Sequence, residues 1–193
     1  MIYEKYIKNK NKIHLKKHNK EWWKMDKINL EFMQEALNLA KIAYKKREVP
    51  VGAIIVRNNK IVSRAYNKRE KKQNSLYHAE ILAIDKACKK LKSFRLDDCE
   101  MYVTLEPCPM CSGAIINARL KKVYFGGYDK NYGCAGSKYN FLQDKTFEHL
   151  VDVEGGILEE ECSTLIKEFF VEIRKRNKNV KELLKQKSKS KNW

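Results

Sequence analysis

Two short stretches of this chain, His78-Ala79-Glu80 and Pro107-Cys108-Pro109-Met110-Cys111, decide how the rest of the sequence is interpreted. Together they offer one imidazole and two thiols, which are side chains that bind zinc in proteins. A structural zinc site uses four protein ligands, whereas three ligands leave one position open for water. The pattern therefore predicts a catalytic zinc centre held by His78, Cys108 and Cys111.

The first stretch is expected to open a helix. Apolar residues recur at helical spacing after His78, and Ser75 or a neighbour would begin that helix. His78 and Glu80 would then leave its first turn together. The carboxylate of Glu80 would lie beside the metal without binding it.

The second stretch is expected to lie at a strand-to-helix junction. Residues 101–105 form a strand-like run, and Pro109 suits the first position of the helix that follows. The spacing of Cys108 and Cys111 places both sulfurs on one face, where the helix dipole favours thiolate over thiol.

Glu80 supplies the base that such a centre needs. Two thiolates cancel the formal charge of zinc, so bound water is acidified less than at a site with three neutral histidines. Glu80 would take a proton from the attacking water and return protons to the ring nitrogen and the departing amine of an amidine. Either motif alone also arises by chance at helix starts, but the ordered pair is the signature of nucleobase deaminases. The sequence therefore predicts hydrolytic deamination.

The composition indicates one domain with a polyanionic partner. The 193 residues suffice for one hydrophobic core, and the formal net charge is +17. Nucleic acid is the first candidate partner and an acidic membrane surface the second, with lysines that only keep the protein soluble as the alternative.

The expected location is the cytoplasm. No run approaches the roughly 20 apolar residues of a membrane span, so no membrane association through a spanning helix is expected. The four cysteines outside the motif are scattered, which fits a reducing compartment; they are Cys88, Cys99, Cys134 and Cys162.

Periodicity predicts an α/β domain with a mixed sheet, because an early hairpin is antiparallel and later strands are separated by helices. The expected elements are a helix over residues 30–46, strands over 49–57 and 60–66 joined by a tight turn at Asn58-Asn59, the two helices that follow His78 and Cys108, strands over 101–105, 122–126 and 150–153, and a last helix over 158–176.

Three segments are predicted along the chain. Residues 1–27 are expected to be a loosely ordered basic leader, unless Met25 is the true translation start. Residues 28–176 would form the zinc-dependent domain. Residues 177–193 are expected to be a lysine-rich tail, which would extend the last helix along RNA or, by default, fray in solvent.

The loop over residues 128–139 is expected to be irregular and functional. Its glycines suit unusual backbone angles, its aromatic residues suit stacking on bases, and Lys130 and Lys138 suit phosphate. The alternative is an ordinary exposed connection.

With these residues in view, the chain resembles the bacterial tRNA-specific adenosine deaminases, within the cytidine deaminase-like superfamily. The resemblance runs from about Met33 to Phe170 and includes residues 47–53 (REVPVGA), 102–108 (YVTLEPC) and 133–137 (GCAGS). It implies a three-layer α/β/α cytidine deaminase-like fold with a mixed five-stranded sheet, one zinc ion per subunit and a homodimer. The implied reaction converts adenosine to inosine at the wobble position of a tRNA anticodon stem-loop, typically that of an arginine tRNA.

The resemblance also implies residue roles. The metal ligands would be His78, Cys108 and Cys111, with Glu80 as proton shuttle. Two further side chains are assigned to substrate binding, Asn67 to the target nucleoside and Asp129 to the RNA backbone near a 2′-hydroxyl. The alternative role of Asn67 is turn formation. Tyr128 departs from the basic residue expected beside Asp129.

Three alternatives stay open from the sequence. A deaminase of guanine, cytosine or deoxycytidylate would use the same zinc site, but its small substrate would not require a net charge of +17. The catalytic subunit of a heterodimeric tRNA deaminase would need a partner for activity. A non-catalytic zinc-containing RNA-binding protein would not need Glu80, whose presence favours an enzyme.

Overall fold

In a computed structural model of the chain, helices cover both faces of one sheet. The backbone is described for residues 20–189 and the side chains for residues 27–182. Within residues 20–189, none of the helices combines the length and the apolar character that a membrane crossing requires. The elements are, in order, α1 (Lys20–Lys45), β1 (Gly52–Arg57), β2 (Lys60–Tyr66), α2 (Arg69–Lys72), α3 (Ala79–Leu91), β3 (Cys99–Leu105), α4 (Pro109–Asn117), β4 (Lys122–Gly127), β5 (Asp152–Glu154) and α5 (Glu159–Lys189).

The sheet is mixed and five-stranded, as predicted, with strand order β2-β1-β3-β4-β5. β1 is antiparallel to β2 and β3, whereas β3, β4 and β5 are parallel. At the start of β1, Gly52 pairs with Tyr66 at the end of β2, and Ala53 pairs with Val103 near the end of β3. Leu105 at the end of β3 pairs with Gly127 at the end of β4. The last residues of β2, β3 and β4 therefore lie together, at what we name the carboxyl end of the sheet.

Side chains of successive strand residues alternate between two cores, which makes the fold three-layered. In β3, Met101 and Val103 face the core shared with α3 and α4, while Tyr102 faces the core shared with α1 and α5. The Tyr102 ring stacks on that of Tyr124 with centroids 4.4 Å apart, and its hydroxyl donates to Asn29 Oδ1 at 2.7 Å. The predicted α/β/α architecture is confirmed.

Gly52 allows α1 to pack directly on the backbone of β1. A Cβ at this position would clash with the carbonyl oxygen of Ala36 and would lie 2.7 Å from the backbone nitrogen of Ala40. The close approach fixes where the chain leaves α1 and enters the sheet.

The hairpin turn is confirmed and the outer helix ends are corrected. Asn58 and Asn59 have φ angles of 50° and 54°, as a tight primed turn requires. α1 begins at Lys20 rather than near residue 30, so residues 20–27, expected to be loosely ordered, are helical. α5 runs to Lys189, so the expected fraying tail is helical to that point.

Helix propensity explains both extensions. Neither α1 nor α5 contains glycine or proline. The outer turns of α1 contain lysine, glutamate and methionine and those of α5 contain lysine, glutamate and leucine, all of which are good helix formers. The predictions ended each helix where apolar periodicity faded. Predictions for residues 1–19 and 190–193 lie outside the described residues.

Candidate active site

His78 caps the first turn of α3. Its backbone is extended, with φ −69° and ψ 154°, and its carbonyl oxygen accepts a hydrogen bond from Leu82 N at 3.1 Å. The predicted helix start near Ser75 was therefore wrong, because residues 74–77 form turns that end at His78. Glu80 lies in the first turn, as expected, and is 4% exposed.

Cys108 caps α4 in the same manner. Pro109 occupies the first turn of the helix as predicted, and Ser112 N donates to Cys108 O at 2.8 Å. Cys111 is buried in that turn. Two helix N-termini thus bring their capping residues to one place, where their dipoles favour negative charge on the sulfurs.

His78, Cys108 and Cys111 form what we name the metal-binding cluster. His78 Nδ1 lies 3.5 Å from Cys111 Sγ and 3.7 Å from Cys108 Sγ. Bonds of about 2.3 Å to sulfur and about 2.0 Å to nitrogen in a tetrahedral zinc site separate ligand atoms by roughly 3.5–3.8 Å. The donor set and its spacing fit zinc. Within the described part of the chain, no other trio of histidine, cysteine or acidic side chains is gathered closely enough to hold a metal.

Hydrogen bonds polarise the cluster. The bonds that Cys108 receives from Cys111 and His78 lower the pKa of the Cys108 thiol to about 4. The Cys108 sulfur in turn raises the pKa of His78 and that of Cys111. Burial raises the pKa of Glu80. A thiolate therefore stands beside a carboxyl group that can hold a proton, which suits metal binding and acid–base chemistry respectively.

Glu48 is a buried carboxylate that organises the approach to His78. Its Oε2 accepts hydrogen bonds from Asn67 Nδ2 at 3.4 Å and from Glu70 N at 2.9 Å, while Oε1 accepts from Lys71 N at 2.7 Å. These bonds satisfy free N–H groups at the start of α2. Sequence reasoning missed this role; the only signal was a lone acidic residue beside an apolar strand.

Asn67 lies at the carboxyl end of the sheet near the cluster. Its N–H donates to Val51 O at 3.0 Å, and the next residue, Lys68, donates to Tyr77 O at 3.0 Å. Asn67 and His78 therefore flank the hydrogen bond that closes the loop between β2 and α3. The Asn67 side chain is buried and oriented by Glu48, which differs from a simple turn former.

Comparison with known proteins identifies the family. A profile of the family described as MafB19-like deaminase matches residues 27–188. The tRNA-specific adenosine deaminase of Bacillus subtilis (strain 168) is 48% identical over 153 residues, covering 79% of this chain and 95% of that protein. The chain belongs to the tRNA-specific adenosine deaminase family. The resemblance read from the sequence is confirmed.

Two further relatives support membership of the tRNA-specific adenosine deaminases. The enzyme of that name from Rickettsia bellii (strain RML369-C) is 46% identical over 144 residues, covering 74% of this chain and 99% of that protein. A solved structure from studies of A-to-I editing by tRNA:A34 deaminases is 37% identical with a TM-score of 0.68. It covers 70% of this chain and 98% of that chain.

A second buried carboxylate, Glu106, holds the loop over residues 128–139 of this deaminase. Its Oε2 accepts from Asp129 N at 3.0 Å, and its Oε1 accepts from Ala135 N and Ser137 N at 2.9 Å each. A Cβ on Gly133 would clash with the Glu106 carboxylate, so only glycine fits there. Sequence reasoning missed Glu106, although it lies two positions before Cys108.

Asp129 shapes the same loop. Its Oδ1 accepts from Asn131 N at 2.9 Å and from Tyr132 N at 3.1 Å, closing a local turn. Tyr128 and Tyr132 project from this loop with 47% and 67% of their surface exposed. The carboxylate of Asp129 thus supports a loop that presents aromatic rings at the carboxyl end of the sheet.

Proposed function

We propose that this protein is a zinc-dependent hydrolase that converts adenosine to inosine at the wobble position of a tRNA anticodon, typically that of an arginine tRNA. The observation that best supports this proposal is the metal-binding cluster with the buried Glu80 beside it, in a chain that belongs to the tRNA-specific adenosine deaminase family. His78 Nδ1 and the Sγ atoms of Cys108 and Cys111 would hold the ion. When bound, zinc supplies a Lewis acid that lowers the pKa of water.

Glu80 moves the protons of the reaction. Its carboxylate takes one proton from the attacking water and delivers it to the ring nitrogen of the adenine. It then transfers the second water proton to the departing amino group, which leaves as ammonia as the carbonyl of inosine forms. Burial of Glu80 favours its protonated form, so the acid that this sequence needs is available after the first transfer.

Asn67 and Asp129 are proposed to position the substrate. Glu48 engages Asn67 through Nδ2, and an amide still has a second N–H and a carbonyl oxygen for a nucleoside. Asp129 would approach the RNA backbone from the loop held by Glu106. An anticodon base lies in an unpaired loop, so extruding it costs less than extracting a base from a duplex.

We also propose a homodimer that acts in the cytoplasm, where tRNA is the partner. The homodimer follows from the family resemblance. All six cysteines are free thiols, which suits a reducing compartment. A complex with a different subunit would instead require that partner for activity.

The decisive experiment measures inosine formation by the zinc-loaded protein on an arginine tRNA with adenosine at the wobble position. A tRNA with guanosine at that position, free adenosine, free cytidine and free guanine serve as controls. Inosine in the first reaction alone supports the proposal. Turnover of a free base or nucleoside would keep the zinc chemistry and overturn the RNA substrate, and inactivity restored by a second subunit would overturn the homodimer.

A further inference from the structure

The outer part of α5 is a helix without a packing partner in the described structure. The buried face of α5 ends at Phe169 and the half-buried Ile173, and every residue over 174–182 is exposed. A helix with solvent on all sides gains nothing from core packing, and short isolated helices are only marginally stable. Such an element is expected to have a binding role rather than a folding role.

The same segment carries a dense positive charge. Over residues 174–189 one acidic residue, Glu182, stands among eight basic residues, which are Arg174, Lys175, Arg176, Lys178, Lys181, Lys185, Lys187 and Lys189. At 1.5 Å per residue these charges are spread along about 24 Å of helix. They give this one helical segment a net formal charge of +7, out of +17 for the whole chain.

The segment leaves the domain at the end where the metal-binding cluster lies. Early in α5, Ser163 lies against the end of β4, since a Cβ on Gly127 would lie 2.8 Å from Ser163 Oγ. Further along, Phe169 packs edge-on against Tyr44 at 5.7 Å, and the Tyr44 hydroxyl donates to Glu172 at 2.8 Å. Tyr44 is in the last turn of α1, which leads to the start of β1. Both contacts therefore lie at the carboxyl end of the sheet.

We propose that residues 174–189, named here the basic arm, bind the phosphate backbone of the RNA stem next to the loop that enters the active site. The proposal rests on the tRNA substrate proposed above. Lysine and arginine on all sides of a helix provide phosphate contacts that hold an RNA in position without reading its sequence. The arm would thus supply affinity for the stem while the cluster and its loops select the adenosine.

An acidic membrane surface fits the arm less well. A helix that lies in a membrane interface needs a continuous apolar face as well as basic residues. Over residues 174–189 the apolar residues are Val180, Leu183 and Leu184, which lie within little more than one turn and leave the rest of the segment without an apolar face. Charge without such a face favours a solvated polyanion, and RNA is the polyanion that the site already requires.

The test neutralises three arm charges and compares them with three charges elsewhere. The arm variant carries Lys175→Gln, Lys178→Gln and Lys181→Gln, all at exposed positions. The control variant carries Lys60→Gln, Lys90→Gln and Lys121→Gln, exposed positions at the opposite end of the sheet. Dissociation constants are measured for full-length tRNA and for an unpaired oligonucleotide with the loop sequence, at several salt concentrations, beside kcat.

In the arm variant we expect the Kd for tRNA to rise about tenfold and the slope of log Kd against log salt to fall by about two to three, because each lost phosphate contact removes about 0.9. Binding of the loop oligonucleotide and kcat at saturating tRNA should be unchanged, and the control variant should bind tRNA as the wild type does. Equal losses in both variants would overturn the proposal, since they would show a net-charge effect. So would a loss of binding to phosphatidylserine vesicles with tRNA binding intact.

The binding assay separates this proposal from the proposed activity. If the wild type binds tRNA through the arm but makes no inosine, the activity fails and the arm stands. If the arm variant binds tRNA normally while the wild type makes inosine, the arm fails and the activity stands.

Discussion

His78 Nδ1 and Cys111 Sγ lie 3.5 Å apart although 33 residues separate them along the chain. β1 is antiparallel to both β2 and β3, so β2 and β3 end at the same end of the sheet and the helices that follow them, α3 and α4, begin there. The ligands are therefore placed by the fold, and a bound metal would tie α3 to α4.

Removal of one ligand is expected to release the metal and to loosen this link. Cys108→Ala should abolish stoichiometric zinc binding and lower the melting temperature, because metal-binding free energy adds to folding free energy. Elemental analysis and thermal denaturation would measure both effects. Cys88→Ala, at a half-buried thiol outside the cluster, is the control and should retain zinc. Full zinc content in Cys108→Ala would show that the ligand set is wrong.

Glu80→Gln should separate chemistry from binding. The variant keeps its size and burial but loses the proton carrier, so we expect inosine formation to fall by about a hundredfold or more. Zinc content and tRNA affinity should be retained. Glu31→Gln, at an exposed position on α1, should be fully active. Wild-type rates in Glu80→Gln would refute the assignment.

Gly133→Ala should disturb the loop and leave the metal in place. The added Cβ would clash with the Glu106 carboxylate and would lie 2.5 Å from Asp129 O, so the hydrogen bonds of Glu106 must rearrange. Overpacking of this kind costs about 1–3 kcal/mol of unfolding free energy. We expect KM for tRNA to rise with zinc content unchanged.

The matched control for that change is Gly113→Ala, because a Cβ on Gly113 would have no neighbour within 4 Å. It should keep wild-type KM and slightly raise stability, since alanine is favoured over glycine in a helix. An unchanged KM in Gly133→Ala would mean that the loop does not contribute to RNA binding.

Two buried serines should respond differently to loss of their hydroxyl. Ser63 Oγ donates to Ala83 O at 2.7 Å, so Ser63→Ala should lower the unfolding free energy by about 1 kcal/mol. Within the described residues, Ser112 Oγ is the one buried side-chain oxygen or nitrogen without a hydrogen-bond partner. Ser112→Ala should therefore be neutral or stabilising. Chemical denaturation of both variants would measure this, and a loss in Ser112→Ala equal to that in Ser63→Ala would contradict it.

Local sequence patterns were sufficient to predict the strands and the gathering of the metal-binding cluster. A ligand set has fixed residue types and spacing, and the turn at Asn58-Asn59 has a backbone requirement that few residues meet. Each of the two motifs and the turn is encoded within a few neighbouring positions, so sequence alone could locate them. The order of the motifs, and not their spacing along the chain, predicted that the fold would bring them together.

The buried carboxylates could not be found in this way. Glu48 and Glu106 accept hydrogen bonds from backbone groups 22–31 positions away, and nothing in the local sequence marks those partners. The predicted ends of α1 and α5 were wrong for a related reason. Apolar periodicity marks only the part of a helix that packs on a core, whereas the outer turns of α1 and α5 form because their residues have high helix propensity.

Glu48 anchors the segment between β2 and α3, and Glu106 anchors the loop over residues 128–139. Hydrogen bonds to a charged acceptor are stronger than neutral ones, so these loops keep their shape before any RNA arrives. The conformational entropy lost on binding would then come mainly from the nucleic acid, which must unstack and present its base. The protein would thus discriminate among RNAs by how readily each one unstacks the bases of its loop. An adenosine stacked in a rigid stem would bind poorly, because unstacking it costs more free energy.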